Sequence, residues 1–414
     1  MIIIFCFCLL TNSMKGELIT ASEFEQLAAQ QKLEEAAQKI CPIFQSDDDC
    51  FKHLSEVENL DELVIEPIGQ GGLAQVFMVN NMYVVKSLKP EDRDLHFAVL
   101  REIHMGLLIF SFNFSNLMPV EKCCIVREDS QRPLGMKYYT KMELMRYQDL
   151  GRILTKDENK GYLKRFDWKF RVLMGATKAL ALLHENGFVH RDIKPENILM
   201  RSPYIPVLAD FNGSYNSWFG TPGIGIFGTP GYIPPEVIED YSYGYATDIF
   251  ALGKVFFQVM NTLNTRRVHI GRIDIPNYCN QVAVDPVFSL FKLESQFYCE
   301  HMEPLVLKMI SNTPDERPPI KTIQATLEML LPFFQNVHSS LARLKNMMQN
   351  EEAISLNDKI YLSFIQENQD QPIVTEKEAV KSKDIGDSNL ISASIQQLNN
   401  EFEAMTLNDD FNLI

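Results

Sequence analysis

Eight consecutive residues, His190-Arg191-Asp192-Ile193-Lys194-Pro195-Glu196-Asn197, bring a carboxylate, an ammonium and an amide close together in the chain. Asp192 can accept a hydrogen bond from an attacking hydroxyl. Lys194 can neutralise a transferring phosphoryl group, and Asn197 can ligate a metal. Thirteen residues after Asn197, Asp210-Phe211-Asn212 follows the strand-like Val207-Leu208-Ala209 and adds a second carboxylate for a metal. Phosphoryl transfer needs little covalent help. It needs phosphate charge neutralised and a hydroxyl aligned in line, which these groups can supply.

Two earlier segments add weaker signals. Gly69-Gln70-Gly71-Gly72-Leu73-Ala74-Gln75-Val76 lies between strand-like runs, where glycines let backbone NH groups approach phosphate oxygens. The same pattern also suits an ordinary hairpin turn. Lys86 ends the apolar run Val84-Val85 and could snorkel to the surface, or be a phosphate-binding ammonium held by Glu102 in the following helical stretch.

These groups need elements to hold them. Residues 20–40 have apolar positions Phe24, Leu27, Ala28 and Leu33 near a helical period, which predicts one amphipathic helix. Ser46–Asp49 is an acidic linker or helix start. From Leu63 the runs LVIEPIG, AQVFMV and MYVVKSL predict strands, with Asn80-Asn81 as a turn. A helix around Leu95–Leu108 and strands over Lys122–Glu128 and Lys137–Leu144 complete a small β lobe. Beyond Leu150 the chain reads as helical, over Trp168–His184, Thr247–Met260, Pro304–Ser311 and from Thr322 onward.

The motifs and their order resemble eukaryotic protein kinases across about 270 residues. The resemblance implies an α+β bilobal fold, with a small antiparallel β lobe (60–145), a mainly helical lobe (146–335) and ATP in the cleft between them. Residues 1–59 would be an extension with an amphipathic helix, and 336–414 a helical extension and acidic tail. It further implies Asp192 as catalytic base, assisted by Lys194, and Asn197 and Asp210 as Mg²⁺ ligands. Lys86 would meet the ATP phosphates with Glu102 as its partner, under Gly69 and Gly71. Ile68, Val76, Val84 and Leu199 would sandwich the adenine, facing the backbones of Glu143 and Met145 beyond a Met142 gatekeeper. Lys194 at this position is typical of Ser/Thr-specific members. Glu196 occurs in members that prefer basic residues before the target. Gly228–Glu236 would end the activation segment, Glu236 pairing with Arg317 and Asp248 anchoring the catalytic loop.

Three positions depart from the family pattern. Ala74 replaces a glycine, Asn212 stands where glycine is usual, and Gly106 stands where a bulky side chain completes an internal stack. Asn212 is expected to tolerate left-handed backbone angles, and Gly106 to leave a gap or to signal a shifted alignment. Phe219-Gly-Thr-Pro-Gly recurs as Phe227-Gly-Thr-Pro-Gly, and Ser214, Ser217 and Thr221 are candidate phosphorylation sites facing Arg191. The alternative to catalysis is a pseudokinase-type scaffold that binds nucleotide.

The net charge of −15 disfavours nucleic-acid partners; 13 acidic and 4 basic side chains fall in residues 351–414, so the tail carries most of it. That tail reads as disordered, with a short helix over Ser394–Met405. Cys6, Cys8, Cys41, Cys50, Cys123, Cys124, Cys279 and Cys299 form no CxxC pair and read as reduced thiols of a cytoplasmic protein. Met1–Leu10 is apolar but too short to span a bilayer and lacks a basic start; translation from Met14 is the expectation.

Overall fold

The computed structural model describes residues 18–70, 74–128, 135–156, 166–219, 225–261 and 301–331, all within one compact unit. Gly71, Thr221, Met1–Leu10, the cysteines outside positions 41–124 and the acidic tail lie outside these residues.

The region expected to form one helix forms two, α1 (Ala21–Ala29) and α2 (Leu33–Ile40). The break falls at Gln31, which adopts a left-handed backbone (φ 56°). Strand β1 (Ile43–Phe44) and helix α3 (Asp47–Ser55) follow, and Ser46 caps α3 by accepting from the Asp49 amide. Phe24, Leu27, Leu33 and Ile40 are buried in a core shared with Leu100, Ile103 and Tyr138 of the small lobe. Residues 18–55 are thus woven into that lobe.

The small lobe is a six-stranded sheet in the order β1-β5-β6-β4-β3-β2, formed with β2 (Ile65–Gln70), β3 (Ala74–Val79), β4 (Tyr83–Leu88), β5 (Val120–Arg127) and β6 (Met136–Glu143). All pairs are antiparallel except β1 beside β5. Asn80 and Asn81 both take positive φ, the geometry of the tight β3–β4 hairpin expected at Asn-Asn. Helix α4 (Arg93–Phe112), capped by Asp92, packs on β5.

Between the lobes the chain forms β7 (Tyr147–Asp149) and α5 (Leu150–Thr155). The large lobe is built on α6 (Phe166–Glu185), followed by β8 (Phe188–Val189), β9 (Ile198–Ser202), β10 (Ile205–Leu208) and β11 (Tyr215–Asn216). Helices α7 (Pro235–Asp240), α8 (Tyr245–Met260) and α9 (Glu303–Met309) follow, and residues 320–331 are helical. α8 is buried nearly all round, and fully buried Lys169 of α6 donates to the Met260 carbonyl at its end (2.9 Å). The lobes are stitched by Met118 N to Leu208 O (2.8 Å) and Leu208 N to Asn116 O (2.9 Å).

Two expectations are corrected here. Cys50 of α3 and Cys124 of β5 are joined by a disulfide, while Cys41 and Cys123 are buried free thiols. The spacing rules missed this pair because the contact depends on α3 folding onto β5, 74 residues away. Gly106 leaves no gap: a Cβ there would lie 2.7 Å from Val120 Cβ, so the β5 side chain fills the space. Gly106→Ala should therefore cost about 1–3 kcal/mol through overpacking, and Val120→Ala in the same chain should recover part of it, as read by urea denaturation.

Candidate functional site

A cavity of about 390 Å³ lies between β2–β4, α4, β6 and the loops of the large lobe. Of the expected residues, it brings together Ile68, Gly69, Val76, Val84, Lys86, Glu102, Glu143, Met145, Leu199, Asn197 and Asp210. Asp192 and Lys194 do not line it and adjoin it through Asn197, whose Nδ2 donates to the Asp192 carbonyl (2.8 Å) and carboxylate (3.0 Å).

Pairing of β4 with β3 and β6 fixes Lys86 opposite Val76 and Thr140. Its Nζ donates to Glu102 Oε1 (2.6 Å) and lies 3.8 Å from Asp210 Oδ1. Burial alone would lower the Lys86 pKa, but the two carboxylates outweigh it and hold it above the ordinary value. Burial pushes the Glu102 carboxyl up; Lys86 opposes this and the Asp210 charge adds to it. The cluster thus sets two carboxylates against one ammonium. Buried Asp210 Oδ1 has no hydrogen-bond partner, and neither has Glu102 Oε2.

The loop carrying Asp192 is held from below. Fully buried Asp248 on α8 accepts from the amides of His190 and Arg191 (both 2.8 Å) and from His184 Nε2 (2.9 Å). The Asp192 amide donates to His190 Nδ1 (3.3 Å), so the imidazole carries its proton on Nε2, which donates to Ala209 O (3.1 Å). Ala209 N in turn donates to Asn197 O (2.9 Å), tying the segment between β10 and Asp210 to the loop.

The Asp192 carboxylate accepts from Lys194 Nζ and from Thr229 Oγ1, each at 2.7 Å, and Lys194 also reaches Thr229 (2.7 Å). Burial pushes the Asp192 carboxyl up, but the hydrogen bonds from Lys194 and Thr229 outweigh it and keep it below the usual range. Thr229 was not singled out from sequence. Its signal was a hydroxyl in the Gly228–Glu236 run, 35 positions from Lys194.

A profile of the family described as "Protein kinase domain" matches residues 63–328. The chain belongs to the protein kinase family. Among relatives, it is 24% identical over 63% of its length to the Arabidopsis thaliana "Cysteine-rich receptor-like protein kinase 14", covering 40% of that protein. It is 24% identical over 70% of its length to "Receptor protein-tyrosine kinase CEPR2" of the same plant, covering 31% of it. It is 27% identical over 40% of its length to the Caenorhabditis elegans "Serine/threonine-protein kinase nekl-2", covering 44% of it. The chain therefore spans well under two thirds of these relatives.

Other residues of the kinase domain fall as follows. Glu236 and Arg317 form a two-pronged pair (2.6 and 2.8 Å), with Arg317 also donating to Ser311 O and Ala246 O. Glu143 turns its side chain to Arg201 on β9 (2.8 Å). Asn212 does not use the left-handed angle it could tolerate; the positive φ in this segment is at Asp210 (66°). Among the candidate phosphorylation sites, Ser214 is fully buried and Ser217 bonds Gly187 O and Tyr245. The Arg191 guanidinium lies 4.9–5.5 Å from the rings of Tyr215, Phe227 and Tyr243 and donates to Gly213 O. Among the described residues no helix is long and apolar enough to cross a membrane.

Arg317→Ala should leave the Glu236 carboxylate largely desolvated and unpaired, costing about 3–5 kcal/mol. Chemical denaturation of the variant measures it.

Proposed function

We propose that this chain is a serine/threonine kinase that transfers the γ-phosphoryl group of ATP to protein hydroxyls with Mg²⁺ as the metal. The observation that carries the reading is the Asp192 carboxylate, fixed by Lys194, Thr229 and Asn197 beside a cavity lined by Lys86, Asn197 and Asp210.

Two features fit a divalent cation: the buried Asp210 Oδ1, which has no hydrogen-bond partner, and the excess of carboxylate over ammonium around Lys86. Asp210 and the Asn197 carbonyl oxygen would hold the ion, since the Asn197 amide hydrogens are committed to Asp192. Bound there, it would neutralise charge on the phosphate oxygens.

The side chains supply the rest. Ile68, Val76, Val84 and Leu199 give the adenine apolar walls, with the Glu143 and Met145 backbones at its edge. Lys86 meets the phosphates and keeps its charge beside two carboxylates. Asp192, held ionised, accepts the proton of the attacking hydroxyl, and Lys194 faces the phosphoryl group. The Lys194–Thr229–Asp192 triangle supports a Ser/Thr acceptor. Exposed Glu196 at the cavity suits substrates with basic residues near the target. The reading includes a cytoplasmic setting, where ATP is abundant as a phosphoryl donor.

Asp192→Asn should lower kcat by about 10²- to 10⁴-fold with nucleotide affinity little changed. Labelled ATP and matched serine, threonine and tyrosine peptides with basic flanks provide the assay. Transfer undiminished in the variant, preference for tyrosine, or nucleotide binding without transfer by the wild type would defeat the reading, the last in favour of a scaffold.

A further inference from the structure

We propose that the segment ahead of the kinase domain is a built-in brace for α4, and that Glu25 and Arg101 are the positioning residues through which it keeps Glu102 on Lys86. The proposal rests on the kinase reading for its catalytic consequence.

Glu102 meets Lys86 only if α4 lies at the right depth and rotation. Its carboxylate is buried with one oxygen unpartnered, so the ion pair itself is costly and a poor anchor for the helix. The holding contacts lie on another face. Phe97, Leu100, Arg101 and His104 recur at i, i+3, i+4 and i+7, and Phe97 and Leu100 lie in the core shared with α1 and α2. Arg101, next to Glu102 in sequence, makes a two-pronged bond to Glu25 (2.9 and 3.1 Å). Glu25 is only 8% exposed. The Phe24 ring sits 5.5 Å from the Arg101 guanidinium and stacks on His104 at 5.4 Å. His104 Nε2 donates to the Ile19 carbonyl (2.6 Å), and burial lowers its pKa to about 4, keeping the ring neutral.

The brace is itself fixed at its far end. β1 pairs with β5, Cys50 is bonded to Cys124, and Lys122 pairs with Glu56 and Lys137 with Asp47. α4 is therefore gripped between β5, where Val120 fills the space over Gly106, and α1–α2. A planar guanidinium fork resists rotation of the helix in a way that apolar contacts do not.

The test uses the full chain with Glu25→Ala, Glu25→Gln and Arg101→Lys, the last two keeping a hydrogen bond or a charge if the first fails to fold. Two readouts are followed in folded protein: steady-state kinetics, and the rate at which Lys86 is acylated by an amine-selective reagent, mapped by mass spectrometry. Loss of the fork should lower kcat/KM for ATP on the order of 10- to 100-fold, raise Lys86 acylation severalfold, and be milder in the conservative variants. Unchanged Lys86 acylation in folded variants overturns the brace, whatever the melting temperature does. A wild-type chain without phosphoryl transfer defeats the kinase reading instead, and the acylation rates then decide the brace alone.

Discussion

One buried carboxylate sets the frame of the site. Asp248 has no solvent contact and receives three donors, two of them consecutive backbone amides of the loop that carries Asp192. Arg191, which supplies the second of those amides and precedes Asp192, has φ 71°, a left-handed angle that costs a non-glycine residue on the order of 1–3 kcal/mol. The strain persists because Asp248 would otherwise be an unpaired charge in the core. From that anchor the loop fixes Asp192, Asp192 fixes Asn197 and Lys194, and His190 ties the loop to Ala209 beside Asp210.

The small lobe solves a different problem. Lys86 is placed by strand pairing, which tolerates little error, whereas Glu102 is placed by a helix that only packs against the sheet. Gly106 lets the helix approach β5 closely, and α1 and α2 cover its other side. The depth of Glu102 is thus decided by the Gly106–Val120 contact at the cavity wall and by packing on the far side of the helix, and the electrostatic cluster of Lys86, Glu102 and Asp210 follows from them.

Much of this was legible from residue spacing. Asp192, Asn197 and Asp210 lie within a short stretch, and a hairpin followed by a helix is enough to place Lys86 near Glu102. Asn80-Asn81 announced its turn, and a helix start was one of the two readings open at Ser46–Asp49. What was not legible depends on long-range packing. The break at Gln31 carries no glycine or proline to mark it. The Cys50–Cys124 bond and the Glu25–Arg101 fork join positions 74 and 76 apart. Val120 against Gly106 is a matter of shape between two elements, so the sequence suggested a void where there is contact. At Asn212 the residue type showed only that a left-handed angle could be tolerated; that the positive φ falls at Asp210 was not marked in the sequence.

The claim that Lys86, Asn197 and Asp210 form one nucleotide-and-metal cleft is tested most directly by calorimetric titration of ADP with and without Mg²⁺, comparing the wild type with Asp210→Asn. The account predicts that Mg²⁺ tightens ADP binding to the wild type and that Asp210→Asn abolishes this dependence while retaining metal-free binding. The same Mg²⁺ dependence in both proteins, or no ADP binding by the folded wild type, would contradict it.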